Sequence, residues 1–230
     1  MKRFIFCFSL WMAAAVNLNA QTLLNGLMDE FRTKKLQDGT WTRYNLKLSD
    51  IQGTPFLDPE FMPGRIVASD GSIFTDIPLR YNGFSDDLEF QKGTDTYNID
   101  PKTRIRRAEF GGKVFACLPF DDLGKPNNGF FEILSEGDNA ILLIKYTVKF
   151  LEKEQVKAFA DPKPARFEEI QKTYFICIDS GIAQQITTKK KLLEIFGPKK
   201  DEMETYISKN KLSIRGDDAL TKIVSQYNTL

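Results

Sequence analysis

The stretch DIPLRYNGFSDDLEFQ, residues 76–91, brings Arg80, Tyr81, Asn82, Asp86, Asp87 and Glu89 close together in the chain. Carboxylates at this density can do general acid and base work, as in glycoside hydrolysis, which needs no histidine and sets two acids about 5 to 10 Å apart. Arg80, Tyr81, Asn82 and Asp87 are also candidates for a polar binding patch. The plainer alternative is a strand corner. Successive strand residues face opposite ways, so Asp86 and Asp87 share a site only if a turn redirects them. Ile73, Thr75, Ile77, Leu79 and Tyr81 fall on one strand face, and Pro78 marks an edge or a bulge. We read a corner, in which Arg80 pairs with Asp86, Asp87 or Glu89 across strands and Tyr81 packs beside Leu79 and Leu88. That reading expects no deep pocket, and a cost of about 0–1 kcal/mol for Arg80→Ala if the pair is exposed.

The chain has no histidine. Ser-His-Asp and Cys-His catalysis, His-ligated zinc and imidazole proton shuttling therefore drop out together. Beyond the N-terminal segment there are two cysteines, Cys117 in KVFACLPF and Cys177 in KTYFICIDSG. They can form a disulfide in an oxidising compartment or stay as two buried thiols. In FDDLGKPNNGFF, residues 120–131, Asp121, Asp122, Asn127 and Asn128 lack the ligand spacing of a calcium loop and read as a polar hairpin loop. Arg104, Arg106 and Arg107 read as a solvated strand face. No phosphate loop, cofactor-binding motif or internal repeat is legible, so the expected cofactor set is none.

The elements that must position these residues are mostly strands. Asp70-Gly71 and Gly111-Gly112 are tight-hairpin dipeptides, and turns also fall at Lys92-Gly93, Glu136–Asn139 and Asp179–Gly181. Between them lie apolar alternations at 65–69, 73–81, 87–91, 96–99, 104–110, 113–118, 129–135, 140–151, 173–179 and 182–187. In AILLIKYTVKFL, Leu142, Ile144, Tyr146, Val148 and Phe150 alternate with polar positions, as in an antiparallel strand with one wet face. WTRYNLKL adds a further candidate strand.

The expected fold is thus mainly β, an antiparallel meander of about ten strands over 21–187, folded as a sandwich or partly closed barrel. The charged stretch 152–171 interrupts it. After Thr188, which can cap a helix, the spacing changes to helical. Leu192, Leu193 and Phe196, then Met203, Tyr206 and Ile207, then Leu220, Ile223, Val224 and Tyr227 mark three short helices, an α-helical appendage over 188–230 packed on the sheet. Leu24, Leu27, Met28 and Phe31 also have helical spacing.

Residues 1–20 begin with Lys2 and Arg3, continue with an apolar run from Phe4 to Val16 and end in small residues at Ala20. This is the pattern of a secretory signal peptide, and the run is short for a membrane span of about 20 residues. Phe6 before Cys7 argues against a lipid anchor. Across the full chain 32 basic residues oppose 31 acidic ones. With charge so nearly cancelled, no nucleic-acid partner is expected.

The order GTPFLDPEFMPGRIVASDGSIFTDIPLRYNGFSDDLEF, TYNIDPKTRIRRAEFGGKVF, GFFEILSEGDNAILLIKY and YISKNKLSIRGDDALTKIVSQYN resembles a family of exported bacterial envelope proteins with no assigned activity. Arg80, Tyr81 and Asn82 match its signature. The resemblance implies bacterial export, to the periplasm or beyond, and carries no catalytic motif. The expected function is a non-enzymatic binding or structural role, with an envelope protein or ligand as partner. Alternatives are a carboxylate-based glycan hydrolase, or an apolar-ligand carrier with a cavity lined by Phe130, Leu142 and Ile144.

Overall fold

The turn chemistry sets the strand count. Gly111 and Gly112 both take positive φ, +56° and +71°, which only the hairpin turn that glycine permits can use. The computed structural model describes residues 24–29, 31, 34–35, 40–41, 46–100, 102–122, 124–153 and 163–230. The proposed signal peptide and residues 154–162 of the charged stretch lie outside them.

The strands are β1 (Lys34–Lys35), β2 (Thr40–Trp41), β3 (Leu46–Lys47), β4 (Met62–Ala68), β5 (Ile73–Asn82), β6 (Asp87–Lys92), β7 (Asp95–Asn98), β8 (Ile105–Phe110), β9 (Lys113–Asp122), β10 (Lys125–Glu136), β11 (Ala140–Thr147), β12 (Phe150–Leu151), β13 (Arg166–Phe167), β14 (Gln171–Ile178) and β15 (Gln184–Gln185). Eleven of them form one antiparallel sheet in the order β1-β7-β6-β5-β4-β8-β9-β10-β11-β14-β15. The protein is mainly β, as the alternation indicates. Among the described residues the meander is interrupted where β1 joins β7, where β8 joins β4 and where β14 follows β11. After β7 the chain returns past β6 and β5, so that β8 pairs with the free edge of β4.

No ladder among the described residues closes the sheet, but it curls strongly. Five strand spacings separate β5 from β11, about 24 Å if the sheet were flat. Yet the Tyr81 hydroxyl lies 3.2 Å from the Tyr146 carbonyl oxygen, and the Val148 N–H donates to Gly83 O at 3.0 Å. The concave side holds the largest core, including Ile77, Leu79, Tyr81, Leu88, Phe115, Phe130, Ile144 and Tyr146. Helix α1 (residues 24–29) and Phe31 cover it, with Leu27 and Phe31 buried.

The opposite face of β9, β10, β11 and β14 is buried as well. Phe120, Phe131, Leu143, Phe175 and Cys177 form a second cluster there. A parallel bridge between Phe120 and Ala183 brings the segment before β15 back to β9 around that cluster. The expectation of one wet face for β11 is therefore corrected: Leu142, Leu143 and Ile144 are all buried. The apolar run Ile141–Ile144 is what a strand covered on both sides requires.

Other expectations shift in bounds. The 140–151 strand ends at Thr147, because Val148 leaves the ladder for Gly83, and Phe150 pairs with Phe167 instead. The supposed loop within 120–131 is mostly strand, and Asp122 pairs with Lys125. The 182–187 strand shrinks to β15. WTRYNLKL resolves into β2 and β3, which pair with each other. In β5 the apolar face changes phase at a bulge, where Asp76 has φ +56°. Phe74 is buried and Ile73 exposed as a result. Nor is β5 an edge. Pro78 is tolerated inside the sheet because it faces Pro63, and neither has an amide to lose.

Helices α2 (Lys189–Ile195), α3 (Lys200–Lys209) and α4 (Asp217–Tyr227) follow. The Thr188 side chain caps α2 by accepting from Lys191 N. Leu192, Met203, Leu220, Ile223 and Val224 pack on Ala140, Leu142 and Ile176 of the sheet. Just past α4, Asn228 Oδ1 accepts the N–H groups of Asn139 and Ala140 at 3.0 and 2.7 Å, and its Nδ2 donates to Ala140 O. A Cβ on Gly137 would fall 2.2 Å from Asn228 Nδ2, so a side chain there would displace the Asn228 amide from its grip on the turn. Asn228→Ala leaves two amides unpaired and is expected to cost about 2–3 kcal/mol in urea unfolding. An unchanged midpoint would show that the turn holds without it.

Candidate functional site

Arg80, Tyr81 and Asn82 occupy the end of β5. In this register Arg80 faces Glu89, Tyr81 faces Leu88 and Asn82 faces Asp87. The Arg80 guanidinium meets Glu89 Oε2 at 2.7 and 2.8 Å through two nitrogens. It also donates to Pro59 O at 3.2 Å. The rings of Phe56 and Phe61 lie on it, 3.6 and 4.2 Å from its central carbon. Asn82 Nδ2 donates to Glu89 Oε1 at 2.9 Å, while Asn82 Oδ1 accepts from the N–H groups of Phe84 and Ser85. Of the three acids offered to Arg80, Glu89 is therefore its partner. Its side chain is 3% exposed, so the pair is buried and not a surface one.

The turn after Asn82 separates the adjacent aspartates. Asp86 adopts φ +57°, which swings its carboxylate away from Asp87 and into a fork in the sheet. Below Glu132 the strands β10 and β11 no longer pair, and the β5–β6 turn fills the gap. Asp86 accepts the Phe130 N–H at 3.2 Å, the Tyr81 hydroxyl at 2.8 Å, Lys102 Nζ at 3.2 Å and Lys145 Nζ at 2.5 Å. Lys145 Nζ also donates to Phe130 O at 3.0 Å. The ladder bonds that Phe130 would have made are thus replaced by two side chains of opposite charge.

Lys145 reaches Asp86 past Gly129. A Cβ at residue 129 would stand 2.7 Å from Lys145 Nζ and 2.9 Å from both Asp86 Oδ2 and the Phe120 ring. The ammonium lies near the faces of Phe120 and Phe131, 5.5 and 5.1 Å from their centroids. Burial lowers the Lys145 pKa, and Asp86 opposes that shift. Burial, then Asp86, holds the Tyr81 hydroxyl well above its ordinary value, so it remains a donor. Alternation alone did not reveal Lys145 or Lys102. Gly129 before a Phe-Phe pair was the one available signal of a close approach.

Asp87 goes elsewhere, accepting from Asn98 Nδ2 at 3.3 Å. Burial raises its pKa. A third ionic cluster lies on the concave side, where Lys113 Nζ meets both oxygens of Glu132 at 2.9 Å and the Tyr146 hydroxyl donates to Glu132 Oε2.

The remaining candidates separate in space. The two cysteines are free. Cys117 faces the concave core beside Phe130, and Cys177 lies in the cluster behind it. The strand alternation that put both on apolar runs put them on opposite faces, so the disulfide reading is corrected. Burial pushes the Cys117 thiol up to about 11. Asp121 Oδ1 accepts from Gly124 N and Asn127 Oδ1 from Asn128 N, so both serve their own hairpin. Arg107 pairs with Glu109 and Glu136 on a solvated face. Phe130, Leu142 and Ile144 are packed core, with Phe130 edge-on to Tyr81. Beside Arg80 lies a cleft of about 120 Å³ walled by Leu57, Met62, Phe110 and Lys113, small against the roughly 300 Å³ at which ligand pockets begin. No helix among the described residues is long and apolar enough to cross a membrane. Comparison with known protein families, curated proteins and solved structures finds no match.

Because the Arg80–Glu89 pair is buried, Arg80→Ala should cost about 3–5 kcal/mol by stranding Glu89, above the surface-pair figure. Tyr81→Phe, which keeps the ring, should cost about 1–3 kcal/mol. Denaturant unfolding of both variants checks the order. For Asp87 the folded pKa is raised, so its stability contribution is greatest below the ordinary carboxylate range and is lost as pH rises through the folded value. Asp87→Asn should therefore raise the unfolding midpoint at pH 7 and lose that advantage in acid. A gain equal at both pH values would show that desolvation of the charge is not the cause.

Proposed function

We propose that the protein is exported and plays a binding or structural role in a bacterial cell envelope, without catalysis. The observation that carries this reading is the fate of the carboxylates. Asp86 is neutralised by Lys102 and Lys145, Glu89 by Arg80 and Glu132 by Lys113. Acid and base work needs a carboxyl free to exchange a proton with substrate. These three spend their charge and lone pairs on holding strands together. The N-terminal pattern from Lys2 to Ala20 supports export, and the resemblance to exported envelope proteins supports the same place.

A partner would meet the β9–β10 ribbon. Its end runs beyond the ladder with β11, and Asp121, Asp122, Lys125, Pro126, Asn127 and Asn128 are exposed there. A photo-crosslinker at Asn127 of the full chain, expressed in a bacterium and followed by cell fractionation, tests the proposal. It expects a chain shortened near Ala20 in the exported fraction, with one discrete envelope adduct. Retention in the cytosol with the leader uncut would sink the export claim. Hydrolysis of a polysaccharide or ester by the purified protein would sink the non-catalytic one.

A further inference from the structure

We infer that Asp86 and Lys145 are a self-modification site, at which the two side chains condense into an intramolecular amide that ties the β5–β6 turn to β11. The geometry supplies each requirement of that reaction. The nucleophile touches the carboxyl it would attack, Lys145 Nζ lying 2.5 Å from Oδ1, an oxygen bonded to the electrophilic Cγ of Asp86. The lysine side chain is 12% exposed and the aspartate 21%, the rings of Phe120 and Phe131 lie beside the ammonium, and the ammonium also donates to Phe130 O. In such surroundings the lysine is drawn toward its neutral amine, the form whose lone pair can attack. The lowered pKa of Lys145 agrees with this direction.

The carboxyl is also polarised from the side away from the amine. Lys102 Nζ lies 3.2 Å from Oδ2, and the Phe130 N–H lies 3.3 Å from the same oxygen. Those donors can hold the negative charge that grows on Oδ2 when nitrogen adds to Cγ, as in an oxyanion hole. On the other oxygen, Oδ1, the Tyr81 hydroxyl donates at 2.8 Å. The step balances without a co-reactant. The Lys145 ammonium gives one proton to Oδ1, the nitrogen lone pair forms the bond to Cγ, and a second nitrogen proton leaves with Oδ1 as the Cγ–Oδ1 bond breaks. An ammonium and a carboxylate become one amide and one water. Holding the two groups in contact removes the entropy cost of bringing them together.

Gly129 belongs to the same device, since any side chain there would separate the pair. The inference is independent of the partner proposed above. Mass spectrometry of the full chain after denaturation tests it. The expected intact mass is lower than that of the processed sequence by one water. Trypsin should then release a branched species joining residues 81–92 to residues 114–149, uncut after Lys145. Lys145→Arg should restore the full mass and the separate peptides. A wild-type mass with no water lost, or cleavage after Lys145 in the whole population, overturns the proposal. Because the wild-type chain is itself measured, a variant that fails to fold does not blur the answer.

Discussion

A carboxylate lodged where two β-strands part is the constraint on which this architecture rests. Strands β10 and β11 are paired at one end and splayed at the other, and a splayed pair exposes amides and carbonyls that water cannot reach under a curled sheet. Asp86 and Lys145 take over those groups at Phe130. Tyr81 then ties β5 to the carbonyl of Tyr146, and the sheet stays curled although no ladder among the described residues closes it. The left-handed backbone at Asp86, the missing side chain at Gly129 and the aromatic walls all follow from placing two charges in that gap.

The same splay exposes an edge on β10, and the chain blunts it residue by residue. Position 126 is proline and has no amide to offer. The Asn128 N–H is occupied by Asn127 Oδ1, and the Phe130 N–H by Asp86. Edge strands left with free amides recruit other strands. Here every second residue along the open edge has been dealt with by a different local device, which leaves side chains, not backbone, as the means of recognition on the ribbon.

Much of this fold was legible in the sequence, because its signals are local. Turn dipeptides, alternation and the Thr188 cap each act within a few residues, and they located the hairpins and the three C-terminal helices. Arg80 meeting an acid on the neighbouring strand was equally local, since Glu89 stands opposite it in register. The failures were of another kind. Lys145 looked solvated because it alternates with Ile144 and Tyr146. What covers it is Phe120, Phe131 and Asp86, supplied by segments distant in sequence. The return of β8 to β4 was hidden for the same reason, since a free strand edge has no sequence mark. Burial on both faces of β11 could have been read from its unbroken apolar run, had that run been weighed above the polar positions after it.

The grip of Asn228 on the β10–β11 turn also has a consequence in time. Synthesis delivers a chain from its N-terminus, so Asn228 emerges well after the β10–β11 hairpin that it completes. Until it does, the Asn139 and Ala140 amides lack their partner and the helices lack their full seat on Leu142. The β10–β11 turn therefore stays unlatched while the helices that follow it are made, and is fixed only when Asn228 arrives.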